Sequence, residues 1–401
     1  MSQLLPIEDA LARILASARP GQPGVEQVPL LQALGRTLAD DVAATIDVPL
    51  DDNSAMDGYA LRAGDVPGSL QVSQRIAAGS VGLPLAPGCA ARIFTGAPVP
   101  AGADAVVMQE DCTEQDGRVT VGRTLAVGEN VRRRGQDIRT GAVVQSRGRV
   151  LRPQDLGLLA SVGVDRVPVY RRLRVAVCST GDELVEPGGA TLSPGQSYNS
   201  NRFTLAGLLQ GLGMEFVDGG IVPDDPEATA RALRDLASRA DVVVTSGGVS
   251  VGEEDHVRAQ VEKLGHLDLW RLAIKPGKPF AFGEVCGRPF IGLPGNPTSS
   301  FVTFCLLARP FLLALQGATE APLPAIPASA GFRVGRAGKR QDYLRVSLEP
   351  VAGGLLARPY DNQSSGVLSS VSRSTALAVV PPDTLVEPGD PVQVLLLDLL
   401  A

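Results

Sequence analysis

The sequence predicts a multidomain α/β protein: a doubly wound, three-layer α/β domain, an inserted mostly-β domain and a C-terminal β-barrel. Apolar strand-like runs alternate with helical patterns between residues 174 and 318. Short segments punctuated by Gly and Pro come before this region, and a Pro-rich stretch with further short strands follows it. Alternating strands and helices are typical of a parallel sheet, whereas closely spaced short strands are typical of β domains.

The composition is that of an ordinary globular protein. The 401 residues are 44% hydrophobic and 20% charged, and they are enough for roughly two to four domains. The net charge of −6 argues against nucleic acid as a partner. The longest apolar run is interrupted by Arg309 and Pro310, so we expect no membrane span. The five cysteines lack CxxC spacing, which indicates reduced, mostly buried thiols in the cytoplasm.

The chain divides into four predicted parts. We expect a helical and β N-terminal domain from residues 1–48 and 140–173, interrupted by the inserted β domain at residues 49–139. The α/β domain follows at residues 174–318, and the β-barrel domain at residues 319–401. The segment LRPQDLGLLASVGV has helical spacing and closes the N-terminal part.

Each element of the α/β domain has its own sequence signal. The predicted strands are RVAVCS, EFVDGGIV, DVVVTS, LDLWRLAI, PFAFGEV and PFIGL. The predicted helices, most of which begin at polar caps, are SNRFTLAGLLQGLG, DDPEATARALRDLASRA, EEDHVRAQVEKLG and TSSFVTFCLLARPFLLALQG. In the last domain LPAIPASAG reads as a linker, followed by the strands FRVGRA, YLRVSLEP, ALAVVP and PVQVLLLDL.

The stretch DVVVTSGGVSVGEEDH, residues 241–256, joins a buried strand to a glycine-rich loop and a helix. Ser246, Gly247 and Gly248 could present backbone N–H groups to a phosphate. The three acids that follow would repel phosphate. They either favour the helix dipole or hold a cation that the phosphate needs, and Asp255 is the candidate ligand.

Acids also follow two other strands of this domain. Glu183 is as well explained by a helix cap as by a functional role, and the position of Asp224 suggests an N-cap. Ligands bind beyond the carboxyl ends of parallel strands, so these acids and Asp255 would share one sheet edge. With only two histidines in the chain, a metal there would be a hard ion with oxygen ligands.

Cations and proline-fixed loops lie at the same predicted edge. Lys275 and Lys278 flank a Pro-Gly turn that suits an oxyanion, although solvent-exposed lysines are the simpler interpretation. Pro294 and Pro297 fix the loop before the last helix, whose N-terminus could be a second anion site. Acids for a divalent cation, with lysines and glycines for phosphates, form one coherent set.

The inserted domain carries three further candidates. Asp57 ends the loop DDNSAMD, and Thr95 lies in a Gly-Pro loop between two strands. Asp137 follows the run Arg132–Arg134. A solvated face is the usual explanation of such a run, but alternate arginines on a strand could also bind an anion.

Seven motifs in order resemble the molybdopterin molybdenumtransferases, the MoeA-type proteins also seen as the C-terminal part of gephyrin. The motifs are DNSAMDGYA, RIFTGAPVPAGADAVVMQE, VRRRGQDI, STGDEL, TSGGVSVGEEDH, AIKPGKPFAFG and GLPGNP. The likeness covers nearly the whole chain. It implies the four-part architecture and a homodimer, whose cleft lies between the inserted domain of one subunit and the α/β and C-terminal domains of the other.

The resemblance also implies the chemistry. Molybdate would be inserted into adenylated molybdopterin with Mg²⁺, releasing AMP, and the partners would include a molybdopterin adenylyltransferase and client molybdoenzymes. The implied catalytic residues are Asp57, Thr95, Glu183, Asp224, Asp255 and Lys275, with all but Thr95 and Lys275 also as metal ligands. The implied substrate-binding residues are Asp137, Ser246, Gly247, Gly248, Lys278, Pro294, Pro297, Arg345 and Ser365. Arg271 stands where the family pattern has lysine.

Two other functions remain open at this point. The α/β domain also resembles the molybdopterin adenylyltransferases, so the chain could form the adenylate instead. Alternatively, the fold could serve as a non-catalytic, pterin-binding scaffold for partner proteins. The intact acids and lysines argue against a pure scaffold, because a scaffold does not need an oxyanion cleft.

Overall fold

The computed structural model describes residues 4–18, 23–189, 191–249, 256–319 and 324–400. Short 3₁₀ turns lie at Leu30–Gln32, Ala63–Asp65 and Gln109–Asp111. The helices and strands of the first part are α1 (Ile7–Ser17), β1 (Val25–Pro29), β2 (Val42–Ala43), β3 (Asn53–Ser54), β4 (Gly58–Leu61), β5 (Gly68–Ile76), β6 (Cys89–Ile93), β7 (Ala105–Met108), β8 (Cys112–Gln115), β9 (Arg118–Val121), β10 (Val131–Arg132), β11 (Val143–Gln145), α2 (Pro153–Ser161) and β12 (Arg166–Tyr170).

The pairing of these strands separates a continuous β unit from the segments on either side of it. Strands β4 to β9 form one mixed sheet in the order β7-β4-β6-β5-β9-β8. The flanking segments meet in antiparallel pairs, β1 with β12 and β2 with β11. The inserted sheet buries its own apolar clusters, so it does not depend on the flanking strands for a core.

The next part contains the large α/β sheet. Its elements are β13 (Arg174–Thr180), β14 (Leu184–Val185), β15 (Ser197–Tyr198), α3 (Ser200–Gly211), β16 (Glu215–Val222), α4 (Pro226–Arg239), β17 (Val242–Ser246), α5 (His256–Leu264), β18 (Gly265–Arg271), β19 (Ile274–Lys275), β20 (Pro279–Val285), β21 (Arg288–Leu293), α6 (Pro297–Thr303), a π-helical segment (Phe304–Ala308) and α7 (Arg309–Leu315).

Helices cover both faces of this sheet, as predicted. Alternate residues of a strand point to opposite faces, so Val175 and Val177 pack with α3 and α6 while Ala176 packs with α4. The strand order is β16-β13-β17-β21-β20-β18, in which β16, β13, β17 and β21 run parallel to one another. The three-layer α/β architecture is therefore confirmed.

The sheet departs from a purely parallel one at β20. This strand runs antiparallel to both β21 and β18. Only Cys286 and Gly287 connect β20 to β21, and their φ angles are 49° and 77°. A two-residue turn with positive φ at both positions reverses the chain directly, whereas a parallel pair needs a long crossover.

Predicted strand LDLWRLAI is two strands in the structure. Its first part lies in β18 at the edge of the α/β sheet. Its last residue, Ile274, begins β19, which pairs in parallel with a strand of the C-terminal domain. The sequence pattern gave no sign of this change of sheet, because strands of either sheet require the same residue types.

The last helix continues through Pro310, as the predicted helix TSSFVTFCLLARPFLLALQG does. The chain continues from Pro297 to Leu315 as one helix of 19 residues, passing through the π-helical segment just before the proline. Proline removes an N–H and crowds the preceding turn, and a π-helical turn accommodates both. Among the described residues this helix alone is long and apolar enough to cross a membrane. However, 83% of its apolar window is buried in the fold, as in a core helix of a soluble protein.

The C-terminal part is a closed β-barrel, as predicted. Its elements are β22 (Ile326–Ala330), β23 (Gln341–Val351), β24 (Gly354–Pro359), α8 (Ser369–Ser372), β25 (Ala376–Val380), β26 (Pro391–Leu396) and α9 (Leu397–Leu400). Over the described residues the order β23-β24-β22-β26-β25 closes, because β25 also pairs with β23.

Two element predictions in this part were wrong. The Pro-rich segment interpreted as a linker contains β22, which pairs at its edges with β26 and β24. FRVGRA is not a strand and makes only an isolated bridge between Val334 and Val386. Pro324 before this short strand and Pro327 within it resemble a linker in sequence, and only the neighbouring strands reveal the ladder.

The cysteines agree in part with the prediction. All five are free thiols. Cys178 and Cys305 are buried in the core, and burial raises the pKa of each thiol to about 12. Cys286 is exposed in the β20–β21 turn.

Candidate functional site

A cleft of about 890 Å³ lies at the carboxyl ends of the α/β strands. Thr180 and Ser246 end β13 and β17, and the loop Pro294–Pro297 follows β21. The C-terminal barrel closes the opposite side of the cleft with the loop around Ser365. The expectation that ligands bind beyond these strand ends therefore coincides with a real cavity.

The structure brings seven of the predicted site residues to this cleft. Its wall also contains polar residues that the sequence reasoning missed, chiefly from the loop before α3 and from the barrel. The predicted residues are Glu183, Ser246, Lys275, Lys278, Pro294, Pro297 and Ser365, and the main missed residues are Asn199, Asn201, Asn296, Ser299, Arg340, Gln363 and Ser364.

Asn201 holds the floor of the cleft together. Its buried amide donates hydrogen bonds to the Ser246 hydroxyl at 2.6 Å and to the Gly295 carbonyl at 2.8 Å. Asn199 caps α3 by accepting from the Arg202 N–H at 3.4 Å, and it also accepts from the Ser179 hydroxyl at 3.0 Å. The run SYNSN therefore joins three strand ends. Its density of Ser and Asn before a helix was the available signal.

Gly247 and Gly248, after β17, are required for two reasons: their φ angles are positive, and a side chain at either position would clash. Gly247 and Gly248 have φ angles of 97° and 65°. A Cβ on Gly247 would lie 2.7 Å from the Thr180 carbonyl oxygen, and one on Gly248 would lie 2.3 Å from a methyl of Val257. The Gly247 N–H donates to the Leu293 carbonyl at 3.0 Å, so it is already used and is not a phosphate donor.

Three cations face the cleft from the side of the barrel. The Lys275 ammonium lies 3.3 Å from a carboxylate oxygen of Asp342, and Arg340 donates to the Ile274 carbonyl at 3.3 Å. Lys278 is fixed through its backbone, because its carbonyl accepts from the Leu272 N–H at 2.7 Å. Lysine and arginine on one wall are suited to an anionic ligand. The basic run GKRQ was the missed signal for Arg340.

One acid, Glu183, lines the cleft, and Asp182 and Asp224 lie near it without lining the cleft. The Asp224 N–H donates to a carboxylate oxygen of Asp182 at 3.1 Å. Burial raises the pKa of Asp224 above its usual 3.8, and the negative charges of Asp182 and Glu183 raise it further. The N-cap of α4 is Asp225, which accepts from the Ala228 N–H at 2.7 Å, so the expected capping role of Asp224 was wrong.

One of the four predicted metal ligands falls outside the described residues. Asp255 and the two acids before it lie outside the described residues. Within the described ranges, no group of three His, Cys, Asp or Glu side chains is close enough to form a metal site unaided. Mg²⁺ usually takes one or two carboxylates, substrate phosphates and water, so such a site does not require three clustered protein acids.

Asp57 and Thr95 form a pair in the inserted β unit, and neither residue lines the cleft of this chain. The Asp57 carboxylate accepts from the Thr95 N–H and from the Thr95 hydroxyl, both at 2.8 Å. The N–H bond, followed by the hydroxyl bond, holds the pKa of Asp57 below 3.8 against a smaller opposing effect of burial. Asp57 therefore stays ionised near neutral pH.

Asp137 lies at a second cavity of about 840 Å³, away from the main cleft. The loop around it is fixed by two carboxylates: Asp47 accepts from the Thr140 N–H at 2.8 Å, and Asp52 accepts from the Arg134 N–H at 2.8 Å. The Thr140 N–H and then Arg134 lower the pKa of Asp47 to about 2. Arg133 and Arg134 make ion pairs with Asp52 and Asp47, so carboxylates already engage two members of the arginine run.

Arg345 is not at the surface of the cleft, contrary to its expected role in substrate binding. Its side chain is 1% exposed, and burial lowers its pKa to about 10. The guanidinium donates to the Tyr343 carbonyl at 3.1 Å and to the Ser370 hydroxyl at 3.2 Å. Arg345 is therefore a buried residue that links parts of the barrel through hydrogen bonds.

Fold and site together define a multidomain α/β protein whose cleft is built for an anionic ligand. Three family profiles match successive parts of the chain: "MoeA N-terminal region (domain I and II)" at residues 5–163, "Probable molybdopterin binding domain" at residues 176–314 and "MoeA C-terminal region (domain IV)" at residues 327–397. The second profile spans all the strands of the α/β sheet beyond the first two residues.

Individual relatives agree along nearly the whole length. A molybdopterin molybdenumtransferase of Haemophilus influenzae is 43% identical over 347 residues, covering 85% of each chain, and one of Mycobacterium tuberculosis is 37% identical over 384 residues, covering 92% of this chain and 94% of the relative. The crystal structure of a molybdopterin biosynthesis MoeA protein from Pyrococcus horikoshii OT3 superposes with a TM-score of 0.85 at 30% identity, covering 98% of this chain and 100% of that one. The chain belongs to the molybdopterin molybdenumtransferase (MoeA) family.

The Asp57–Thr95 pair generates a testable prediction. Thr95→Val keeps the backbone N–H bond but removes the hydroxyl bond, so the pKa of Asp57 should rise towards 3.8. Because the folded pKa of Asp57 is depressed, its contribution to stability is present above pH 3.8 and is lost as the pH falls through the folded value.

Carboxyl ¹³C chemical shifts followed by NMR through a pH titration would measure the change. Thr113→Val, at an exposed position of β8, is the matched control and should leave Asp57 unaffected. An unchanged Asp57 titration in Thr95→Val would show that the hydroxyl does not stabilise the carboxylate.

Proposed function

We propose that this chain carries out molybdenum insertion in molybdenum cofactor biosynthesis, transferring molybdate to adenylated molybdopterin with release of AMP. The observation that carries the proposal is the cleft of the molybdopterin-binding domain, which Lys275, Lys278 and Arg340 line. Molybdate and the phosphoanhydride of the adenylate are both anions. We also propose a cytoplasmic location, since all five cysteines are free thiols.

The cations and hydroxyls of the cleft have distinct tasks in this proposal. Lys275, Lys278 and Arg340 lower the free energy of two anions brought close together. The hydroxyls of Ser246 and Ser365 donate to substrate oxygens, and the rigid loop Pro294–Pro297 limits where the substrate can lie. A molybdate oxygen attacks the pterin-side phosphorus of the phosphoanhydride, the bond from that phosphorus to the bridging oxygen breaks, and AMP leaves. The two dithiolene sulfurs then replace two oxygens on molybdenum: one oxygen stays on the pterin phosphate, and the other leaves as water with the two thiol protons.

Mg²⁺ is the proposed metal, and the acids at and beside the cleft fit it. Asp182, Glu183 and Asp224 are hard oxygen donors, and the raised pKa of Asp224 reflects negative charge that a cation would offset. Glu183 and Asp224 would hold the ion. When bound, Mg²⁺ would supply charge neutralisation and polarisation of the substrate phosphoryl group.

The two other functions are less well supported. An adenylyltransferase would need only the α/β domain, whereas the relatives named molybdenumtransferases share the inserted and C-terminal parts as well. A non-catalytic scaffold would have no need for three cations and a carboxylate around one cavity. Molybdenum insertion explains both observations together.

The first experiment is AMP release from adenylated molybdopterin by the purified protein with Mg²⁺, with molybdate added or omitted. We expect release that depends on molybdate. ATP consumption without molybdate would favour the adenylyltransferase, and pterin binding by a folded protein that never releases AMP would favour the scaffold.

Asp224 and its neighbour Asp225 provide a charge-matched pair of variants. Asp224→Asn should weaken Mg²⁺ binding by at least about tenfold, because it removes a proposed ligand. Asp225→Asn removes the same charge one residue away, but asparagine is also a good N-cap for α4. Calorimetric titration with Mg²⁺ and AMP release against Mg²⁺ concentration would measure both. Equal behaviour of the two variants would exclude Asp224 as a ligand.

A homodimer is the proposed assembly, because Asp57, Thr95 and Asp137 do not line the cleft of their own chain. The inserted β unit of one subunit would reach the cleft of the other. Mixing Asp57→Asn with Lys275→Ala subunits tests this arrangement. Statistical exchange gives half heterodimers with one intact cleft each, hence about a quarter of wild-type activity. If Asp57 instead served its own chain, both clefts of a heterodimer would carry one lesion and the mixture would stay inactive.

A further inference from the structure

One wall of the cleft is a loop of the C-terminal barrel, between β24 and α8. This loop, residues 361–368, follows Pro359 and Tyr360 and precedes Ser369. It contributes the cleft-lining residues Gln363, Ser364, Ser365, Gly366 and Leu368. A loop without a strand neighbour needs other bonds to keep its polar groups in place.

Gln363 supplies bonds within the barrel. Its side-chain oxygen accepts from the Arg345 N–H at 3.0 Å, and its amide donates to the Arg345 carbonyl at 2.9 Å. The same amide also donates to the Tyr360 carbonyl at 2.8 Å. Gln363 thereby imitates the pairing of a neighbouring strand along β23 and fixes the first half of the loop.

Thr298 fixes the second half from the α/β domain. Its backbone N–H, in the first turn of α6, donates to the Ser365 carbonyl at 3.0 Å. Its hydroxyl donates to the Val367 carbonyl at 3.0 Å. The Thr298 side chain is fully buried and is not among the cleft-lining residues. The N-terminus of α6, which the sequence suggested as an anion site, therefore donates one of its N–H groups to the barrel loop.

We infer that Thr298 is a positioning residue for the substrate pterin: its two bonds to the loop hold Ser364 and Ser365 against the cleft, although Thr298 touches no substrate itself. This inference rests on the proposed function. In this role the N-terminus of α6 links the molybdopterin-binding domain to the barrel across the cleft.

The hydroxyl of Thr298 can be removed without leaving a buried acceptor unpaired. The Val367 carbonyl also accepts from the Ser370 hydroxyl at 2.6 Å. Thr298→Val preserves shape and the backbone bond to Ser365, so the fold should persist while the tie to Val367 is lost. Thr298→Ser retains the hydroxyl and should behave as the wild type.

Thr303 offers a matched control on the same helix. Its side chain is fully buried, and its hydroxyl has no hydrogen-bond partner in the described part of the chain. Thr303→Val is the same chemical change as Thr298→Val, at the end of α6, and removes no bond. A difference between the two variants therefore reports the bond to Val367 and not the loss of a buried hydroxyl.

The experiment compares wild type, Thr298→Val, Thr298→Ser and Thr303→Val by hydrogen exchange, pterin binding and turnover. In Thr298→Val we expect faster amide exchange in residues 361–368, and a Kd for molybdopterin, followed by pterin fluorescence, raised about fivefold. KM for the adenylated substrate should rise by a similar factor, with kcat within about twofold of wild type.

Equal loop exchange and equal Kd in the two valine variants would overturn the inference. So would a loss of kcat with unchanged loop exchange, because the effect would not then pass through the loop. The exchange and binding measurements need no turnover. Failure of the wild type to release AMP would refute the proposed function, while these two measurements would still decide the role of Thr298.

Discussion

The cleft depends on one short parallel pairing, between β19 of the α/β domain and β23 of the barrel. Ile274 and Lys275 lie beside Gln341 and Asp342, and the Gln341 N–H donates to the Ala273 carbonyl at 2.8 Å. This pairing draws the chain out of the α/β sheet between β18 and β20 and sets the lysine turn against the barrel. The barrel is thereby a wall of the site and not an appended domain.

The same arrangement separates the charges of the site. Glu183 and Asp224 follow the ends of β13 and β16, whereas the cleft-lining Lys275, Lys278 and Arg340 come from β19, its turn and the barrel. An anionic ligand and a cation can then occupy one cavity without each meeting like charge.

Local sequence signals succeeded where a single element determines the outcome. The alternation of strands and helices in residues 174–318 predicted three layers, because a parallel strand buried on both faces requires a continuous apolar run. Local signals failed where the role of a residue depends on contacts with another part of the chain. The Asp224–Asp225 pair offered two equivalent caps, and the strand Ile326–Ala330, which contains Pro327, resembled a linker. Arg345 resembled a substrate-binding cation, but its surroundings bury it.

The sequence by itself determined the family, the three-layer α/β and β-barrel architectures, and the types of residue that could form the site, because these follow from residue type and local periodicity. Only the tertiary structure decided which of those residues share a cleft. It joined Ser365 to Thr298 through a backbone hydrogen bond and kept Asp57 and Asp137 in a separate part of the chain. Such proximity arises from strand pairing and packing between distant segments, and no short stretch of sequence encodes it.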